Sequence, residues 1–304
     1  MDMTPRQHAA WLGRIVLLAV LSLSPAARAA DNAQSLRDKY ESVASQLADN
    51  AFRRPLVLES TETSDRLKGD IYSVVDYPFA TVSGTLGDPA QGPANWCDVL
   101  ILHLNIKYCH AMPGPNGNVL DVNLGRKVEQ SLSSSYRLAF SYRPLANSAA
   151  YFRVELNAAS GPFSTRDYHI MLEAIPSPAG GNRTFLHLTY SYGYGTAGRL
   201  AMRTYLGTVG SDKVGFTKTA ESSAAEPQYV GGVRGLLERN TMRYYLAIDA
   251  YLKALAAPPE QRLQQRLTTW FNATEQYPRQ LHEIDQQAYL RMKRSEVERQ
   301  RTAQ

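Results

Sequence analysis

The sequence predicts an α+β chain in which a curved antiparallel sheet wraps around a long C-terminal helix, with a further helical extension behind it. Three observations carry this. Residues 78–96 read as helical immediately after the first strands, residues 104–194 read as a succession of strands, and residues 232–255 form one long amphipathic helix. A sheet closed by a terminal helix encloses space, and enclosed space of that kind holds apolar molecules. The order of elements is the main clue to function, because the chain carries no metal-binding or nucleotide-binding motif and therefore implies no cofactor.

The start of the chain reads as a secretory signal peptide over residues 1–29. Arg6 and Arg14 supply positive charge, residues 15–23 an apolar run too short to span a bilayer, and Ala27-Arg28-Ala29 a small-x-small cleavage site before Ala30. No cysteine sits near the site and no twin arginine precedes the run, so a soluble, periplasmic mature chain is expected. Loss of Arg6, Arg14, Arg28 and Asp2 takes the formal charge from +5 to +3. That mild, dispersed balance argues against a nucleic-acid partner. With 44% apolar residues the chain can bury one large core.

Residues 31–50 read as a helix with Leu36, Tyr40, Val43 and Leu47 on one face, followed by strands over 56–59 and 67–75. Helical patterns then occupy 80–86 and a segment that starts at Asp88-Pro89 and presents Trp96, Val99, Leu100 and Leu102. The two cysteines, Cys97 and Cys109, are expected to bond to each other in an oxidising compartment. A continuous helix would hold them about 18 Å apart, so the chain must turn back into a strand over 104–111. Closing so short a loop contributes about 3 kcal/mol in the chain-entropy model.

The loop at 113–118 joins this strand to another over 119–128, and further strands are expected at 136–142, 151–159, 166–175, 184–194, 200–208 and 213–218. The gaps are too short for helical crossovers, so the sheet is antiparallel. From Gly232 the period becomes helical, with Val233, Leu236, Leu237, Tyr244, Ile248, Tyr251, Leu252 and Leu255 forming a stripe that Pro258-Pro259 ends. Residues 260–277 and 279–301 read as two more helices. The last is charge-rich, with thinly spread apolar positions, and is expected to pack on one face at most and to fray.

In this order and hydrophobic pattern, residues 56–255 resemble the START-like lipid-carrier branch of the helix-grip superfamily. The matching parts are VVDYPFATVSGTL with downstream NWCDV, the strand start GPFSTRDY, the strand TFLHLTYSY, and the helix GGVRGLLERNTMRYYLAIDAYL. The resemblance implies an incomplete barrel that encloses a lipid or another hydrophobic molecule beneath the gripping helix. It divides the chain into a signal peptide (1–29), a helix-grip domain (30–257) and a helical extension (258–304), the last a candidate for contact with a membrane or protein partner.

Strand alternation nominates the ligand contacts. Over 119–128, Leu120, Val122, Leu124, Arg126 and Val128 share the inward face, which makes Arg126 a charge among apolar neighbours that meets a polar head group, pairs with a carboxylate such as Glu173, or snorkels to water. Tyr142, Tyr190 and Tyr192, with Tyr168 and Trp96, offer amphipathic contacts, and core packing is the competing reading for each. An exported carrier of a lipid or polyketide-like molecule is the leading expectation. The alternative is a cyclase-type or hydrolase-type enzyme of the same fold using Asp167, Tyr168 or His169, although no GxSxG or HExxH context supports it.

Overall fold

The structure is a computed structural model that describes residues 25–196, 198, 200, 213–223 and 225–302. After a helix, α1 (Pro25–Ala48), come strands β1 (Leu56–Glu62) and β2 (Arg66–Val75), then α2 (Phe79–Leu86) and α3 (Gly92–Leu100). Six strands follow: β3 (Ile106–Gly114), β4 (Gly117–Leu124), β5 (Tyr136–Asn147), β6 (Phe152–Ser160), β7 (Thr165–Pro176) and β8 (Thr184–Tyr194). Helices α4 (Gly232–Ala254), α5 (Pro259–Thr274), α6 (Pro278–Leu281) and α7 (Gln286–Thr302) complete the described chain. The strands form one antiparallel sheet in the order β1-β2-β8-β7-β6-β5-β4-β3, so β8 returns to lie beside β2.

Period-two patterning builds this sheet. In β6, Phe152, Val154, Leu156 and Ala158 are buried on the inner face, while Arg153, Glu155 and Asn157 point outward and stay half-buried. In β8 every residue is buried, because α4 lies against its inner face and α1 covers part of the outer side of the sheet. Gly69 on β2 lets α4 approach: a β-carbon there would come within 2.4 Å of the Thr241 hydroxyl. On the outer side, Ala33, Leu36, Val43 and Leu47 of α1 pack on Val57, Tyr72, Val74, Ile175 and Phe185. The helix-grip arrangement expected from the sequence is therefore present.

The Cys97–Cys109 disulfide ties α3 to β3, with 5.1 Å between the alpha carbons. The start of the turn before α3 is fixed by the Asp88 carboxylate, which accepts from the backbone N–H groups of Ala90 and Gln91 at 2.8 and 2.7 Å.

Several expectations are corrected. The C-terminal segment is not a loosely held tail: Trp270, Phe271, Leu281, Tyr289, Met292 and Val297 belong to the same core cluster as α4. Helix α7 covers the edge strand β3, where Gln300 accepts the Cys109 N–H at 3.2 Å and Tyr289 donates to the Leu102 carbonyl at 3.0 Å. Beneath it Glu296 bridges two fully buried lysines, Lys107 at 3.0 Å and Lys293 at 2.7 Å, and Lys293 also donates to the carbonyls of His103 and Ile106. The thin apolar pattern of this helix misled because its buried positions are partly charged and satisfied by partners about 190 residues away in sequence.

Residues 213–218 do not form a strand. A single bridge pairs Lys218 with Tyr229, and the Glu238 carboxylate holds the segment by accepting from the Phe216 and Thr217 N–H groups. The strand expected at 200–208 lies outside the described residues apart from Leu200, and the apolar run at 15–23 lies outside them altogether.

Candidate functional site

The inner face has two ends of different character. At one end Leu186, Leu188, Leu172 and Val154 are sealed, each with no exposed surface. Toward the other end the aliphatic residues give way to phenols. Tyr168 stacks on Tyr192 at 5.2 Å between ring centroids, Tyr192 lies 5.6 Å from Tyr190, and Tyr190 meets Tyr244 of α4 edge-on at 5.1 Å. Phe140 closes on Tyr168 at 6.4 Å, and His103 stacks on the far side of Tyr244 at 4.9 Å. Tyr168, Tyr190 and Tyr244 keep 8%, 6% and 7% of their surface open, unlike the sealed leucines. Aromatic side chains thus fill most of the space beneath α4 at this end.

Hydrogen bonding divides these rings. The Tyr168 hydroxyl shares a 2.7 Å bond with Thr165, while no hydrogen bond reaches the hydroxyls of Tyr190, Tyr192 or Tyr244 among the described residues. Burial first, then neighbouring phenols, raise the pKa of Tyr190 and Tyr192, and burial and Tyr168 raise that of Tyr244, so all three stay neutral and keep a proton to donate. His103 is the fourth such group. Its Nδ1 accepts the Asn105 N–H at 3.1 Å, which places the proton on Nε2, and Asn240 lies beside the ring, but Nε2 has no partner in hydrogen-bonding geometry. Burial, and then the charges of Arg243, Lys293 and Lys127, hold this imidazole well below its ordinary pKa.

The remaining expected site residues fall elsewhere. Trp96 and Tyr142 meet at the α2–α3 elbow, where the indole N–H donates to the Leu86 carbonyl at 3.1 Å and the Tyr142 hydroxyl reaches the carbonyls of Leu86 and Asp88 at 3.0 Å each. Their approach requires Gly92, whose β-carbon would lie 2.1 Å from the Tyr142 oxygen. Arg126 is not on the inner face. Strand β4 ends at Leu124, Gly125 turns the chain by donating to the Asn105 carbonyl, and Arg126 is exposed with its N–H held by Gln130. Glu173, suggested as its partner, lies on the outer face of β7 against His187.

The acid–base grouping read at residues 166–169 is likewise not assembled. A bulge in β7 between Arg166 and His169 breaks the alternation, with Asp167 in the left-handed region at φ 51°. Asp167 faces Arg166 at 3.5 Å and Arg66 at 3.9 Å, whereas His169 bonds to Asn157.

Sequence reading missed the polar groups of α4. Glu238, Arg239, Thr241 and Arg243 are all fully or almost fully buried, Arg243 bonding to Glu283 at 2.7 Å. The signal was present in ERNTMR, a charged run interrupting an otherwise apolar helix between two proline-bounded stops, since buried charges of this kind are rare without a partner.

No known family model matches the chain, and no curated protein matches it. Among solved structures it is similar to a truncated norcoclaurine synthase from Thalictrum flavum, at 12% identity over 50% of this chain and 91% of that one, with a TM-score of 0.32. A conserved protein from Geobacillus kaustophilus is 16% identical over 47% of this chain and 85% of its own, with a TM-score of 0.29. A protein from Arthrobacter aurescens is 13% identical over 65% and 92%, with a TM-score of 0.31. The helix-grip assignment rests on the strand order and on α4 lying against β2 and β8, not on these shallow likenesses.

Proposed function

We propose that this chain is an exported binding protein for one small molecule with an apolar body and a hydrogen-bond-accepting end, such as a lipid or polyketide-like compound, held beneath α4 and not turned over. One observation carries the reading: the hydroxyls of Tyr190, Tyr192 and Tyr244, all neutral, gather at the aromatic end of the inner face with no hydrogen bond to the protein among the described residues, beside a buried His103 Nε2–H that only Asn240 approaches. Hydroxyls that no protein group pairs are completed by water or by a ligand, and the buried His103 Nε2–H, at about 1–3 kcal/mol for an unsatisfied donor, gains most from such a partner. The apolar body gains about 25 cal/mol for each Å² it buries against the surrounding rings. Occupancy requires the Tyr168 ring to move, since it stacks on Tyr192.

The test is organic extraction of protein purified from its native host, followed by mass spectrometry and rebinding of the extracted compound. A stoichiometric apolar compound that rebinds to the wild type, and rebinds at least several-fold more weakly to Tyr190→Phe/Tyr244→Phe, supports the reading. Extracts without such a compound, or rebinding indifferent to the double substitution, would end it.

A further inference from the structure

The outer face of the sheet carries a second concavity that the interior reading does not use. It is an open groove of about 510 Å³ whose polar walls are Arg66, Ser141, Asn157, Asp167, His169 and Ser191. Four of these are register partners on adjacent strands: Ser141 opposes Asn157, Asn157 opposes His169, and His169 opposes Ser191. At about 4.8 Å between strands they form a polar floor about 14 Å across. The apolar cluster beneath α1 occupies other outward positions, Tyr72, Val74, Phe185 and Ile175, and includes none of these four residues.

The groups in this row are oriented. His169 donates from Nδ1 to the Asn157 side-chain oxygen at 2.8 Å, which leaves Nε2 as a bare acceptor. Among the described residues neither His169 Nε2 nor the Ser191 hydroxyl makes a hydrogen bond. Two guanidinium groups, Arg66 and Arg166, face the single Asp167 carboxylate, and nearby Lys68 is already matched by Asp70 at 2.9 Å. Arg66 therefore holds Asp167 only at 3.9 Å, shares it with Arg166, and stays about half exposed at the rim. Asp167, in the bulge at this rim, holds a left-handed conformation at φ 51°. Such a conformation in a non-glycine residue persists where surrounding structure enforces it.

We propose that this groove is a binding site for a small polyhydroxylated carboxylate of the sugar-acid class. The carboxylate meets Arg66 at the rim. Ligand hydroxyls donate to His169 Nε2 and exchange hydrogen bonds with Ser141, Ser191 and the Asn157 amide, a mixed donor and acceptor floor that suits alternating hydroxyls and would leave an apolar molecule's neighbours unpaired.

Gluconate is the probe, with glucose as the uncharged control, read by calorimetry and by the ¹⁵N shifts of the His169 ring in the full chain. Saturable gluconate binding at least ten-fold tighter than glucose is expected, with the His169 Nε2 resonance moving on saturation. Arg66→Gln removes the preference for gluconate over glucose, and Asn157→Leu weakens both sugars while circular dichroism stays unchanged. Equal binding of the two sugars, no saturable binding, or gluconate binding unaltered in both variants overturns the proposal. None of these outcomes bears on the molecule extracted from the interior, so the two sites are tested separately.

Discussion

The two faces of one sheet solve the same problem of burial in opposite ways. The inner face is closed by apolar side chains and neutral phenols against α4. The outer face is closed partly by α1 and partly by compensated charge: His187 stands between Asp70 and Glu173, bonded to each at 2.8 Å, with Thr189 donating to Asp70 and Tyr151 to Glu173. The Tyr72 ring stacks on the imidazole at 4.2 Å. Burial on the inside responds to shape, whereas the outside responds to protons. The contrast teaches that this sheet is held by two terms with different dependence on solution conditions.

The largest test of the inner face is Leu188→Ala, which should cost about 4 kcal/mol because a sealed position cannot collapse around the lost methyl groups. Urea unfolding measures it, and a loss under about 1 kcal/mol would show the inner face to be plastic. His187→Leu, on the outside, should cost about 2–3 kcal/mol by removing a charge-assisted bond from each of two carboxylates.

The same pair of variants separates the faces by pH. His187 is raised despite burial, by its bonds to Asp70 and Glu173, so its contribution is complete below its unfolded value of about 6.5 and is lost as pH climbs through its folded value. Although burial opposes it, the His187 bond and charge hold Asp70 and Glu173 below the ordinary carboxylate range, so their contribution is present above about pH 4 and is lost as pH falls through their folded values. Stability from this cluster is therefore greatest between roughly pH 4 and 6.5. Leu188→Ala should lower the whole stability–pH curve in parallel, and His187→Leu should flatten its alkaline decline. A decline that survives in His187→Leu would assign it to another group.

The smallest effect is expected at Tyr190→Phe, which removes a hydroxyl with no partner and should change stability by less than about 0.5 kcal/mol. Destabilisation beyond about 1.5 kcal/mol in thermal unfolding would mean that the hydroxyl is already satisfied.

Much of this contrast was legible in the sequence, and the illegible parts share a cause. Strands β5 to β8 were readable because Leu138, Phe140, Val154, Leu156, Leu186 and Leu188 recur every second residue, and α4 because its stripe recurs at helical spacing. Arg126 was misplaced because the apolar alternation of β4 runs on past Leu124, where Gly125 and the partners of Asn105 end the strand. Tyr190 and Tyr192 share a buried face with Leu186 and Leu188, as their spacing suggested, but whether their rings leave a chamber or fill it depends on how four strands and α4 bring them together. The His187 cluster and the Ser141–Asn157–His169–Ser191 row were invisible for the same reason: each member looks ordinary alone, and only strand register brings them side by side.

The junction between β3 and α7 bears on how the chain is made. The Lys107–Glu296 pair joins residues 189 positions apart, and α7 covers an edge strand synthesised long before it. Until the final helix emerges, Lys107 lacks its counter-ion and the free edge of β3 is open to mispairing with other strands. Completion of this fold must therefore wait for the synthesis of α7, and a chain stopped short of Glu296 should be prone to aggregate.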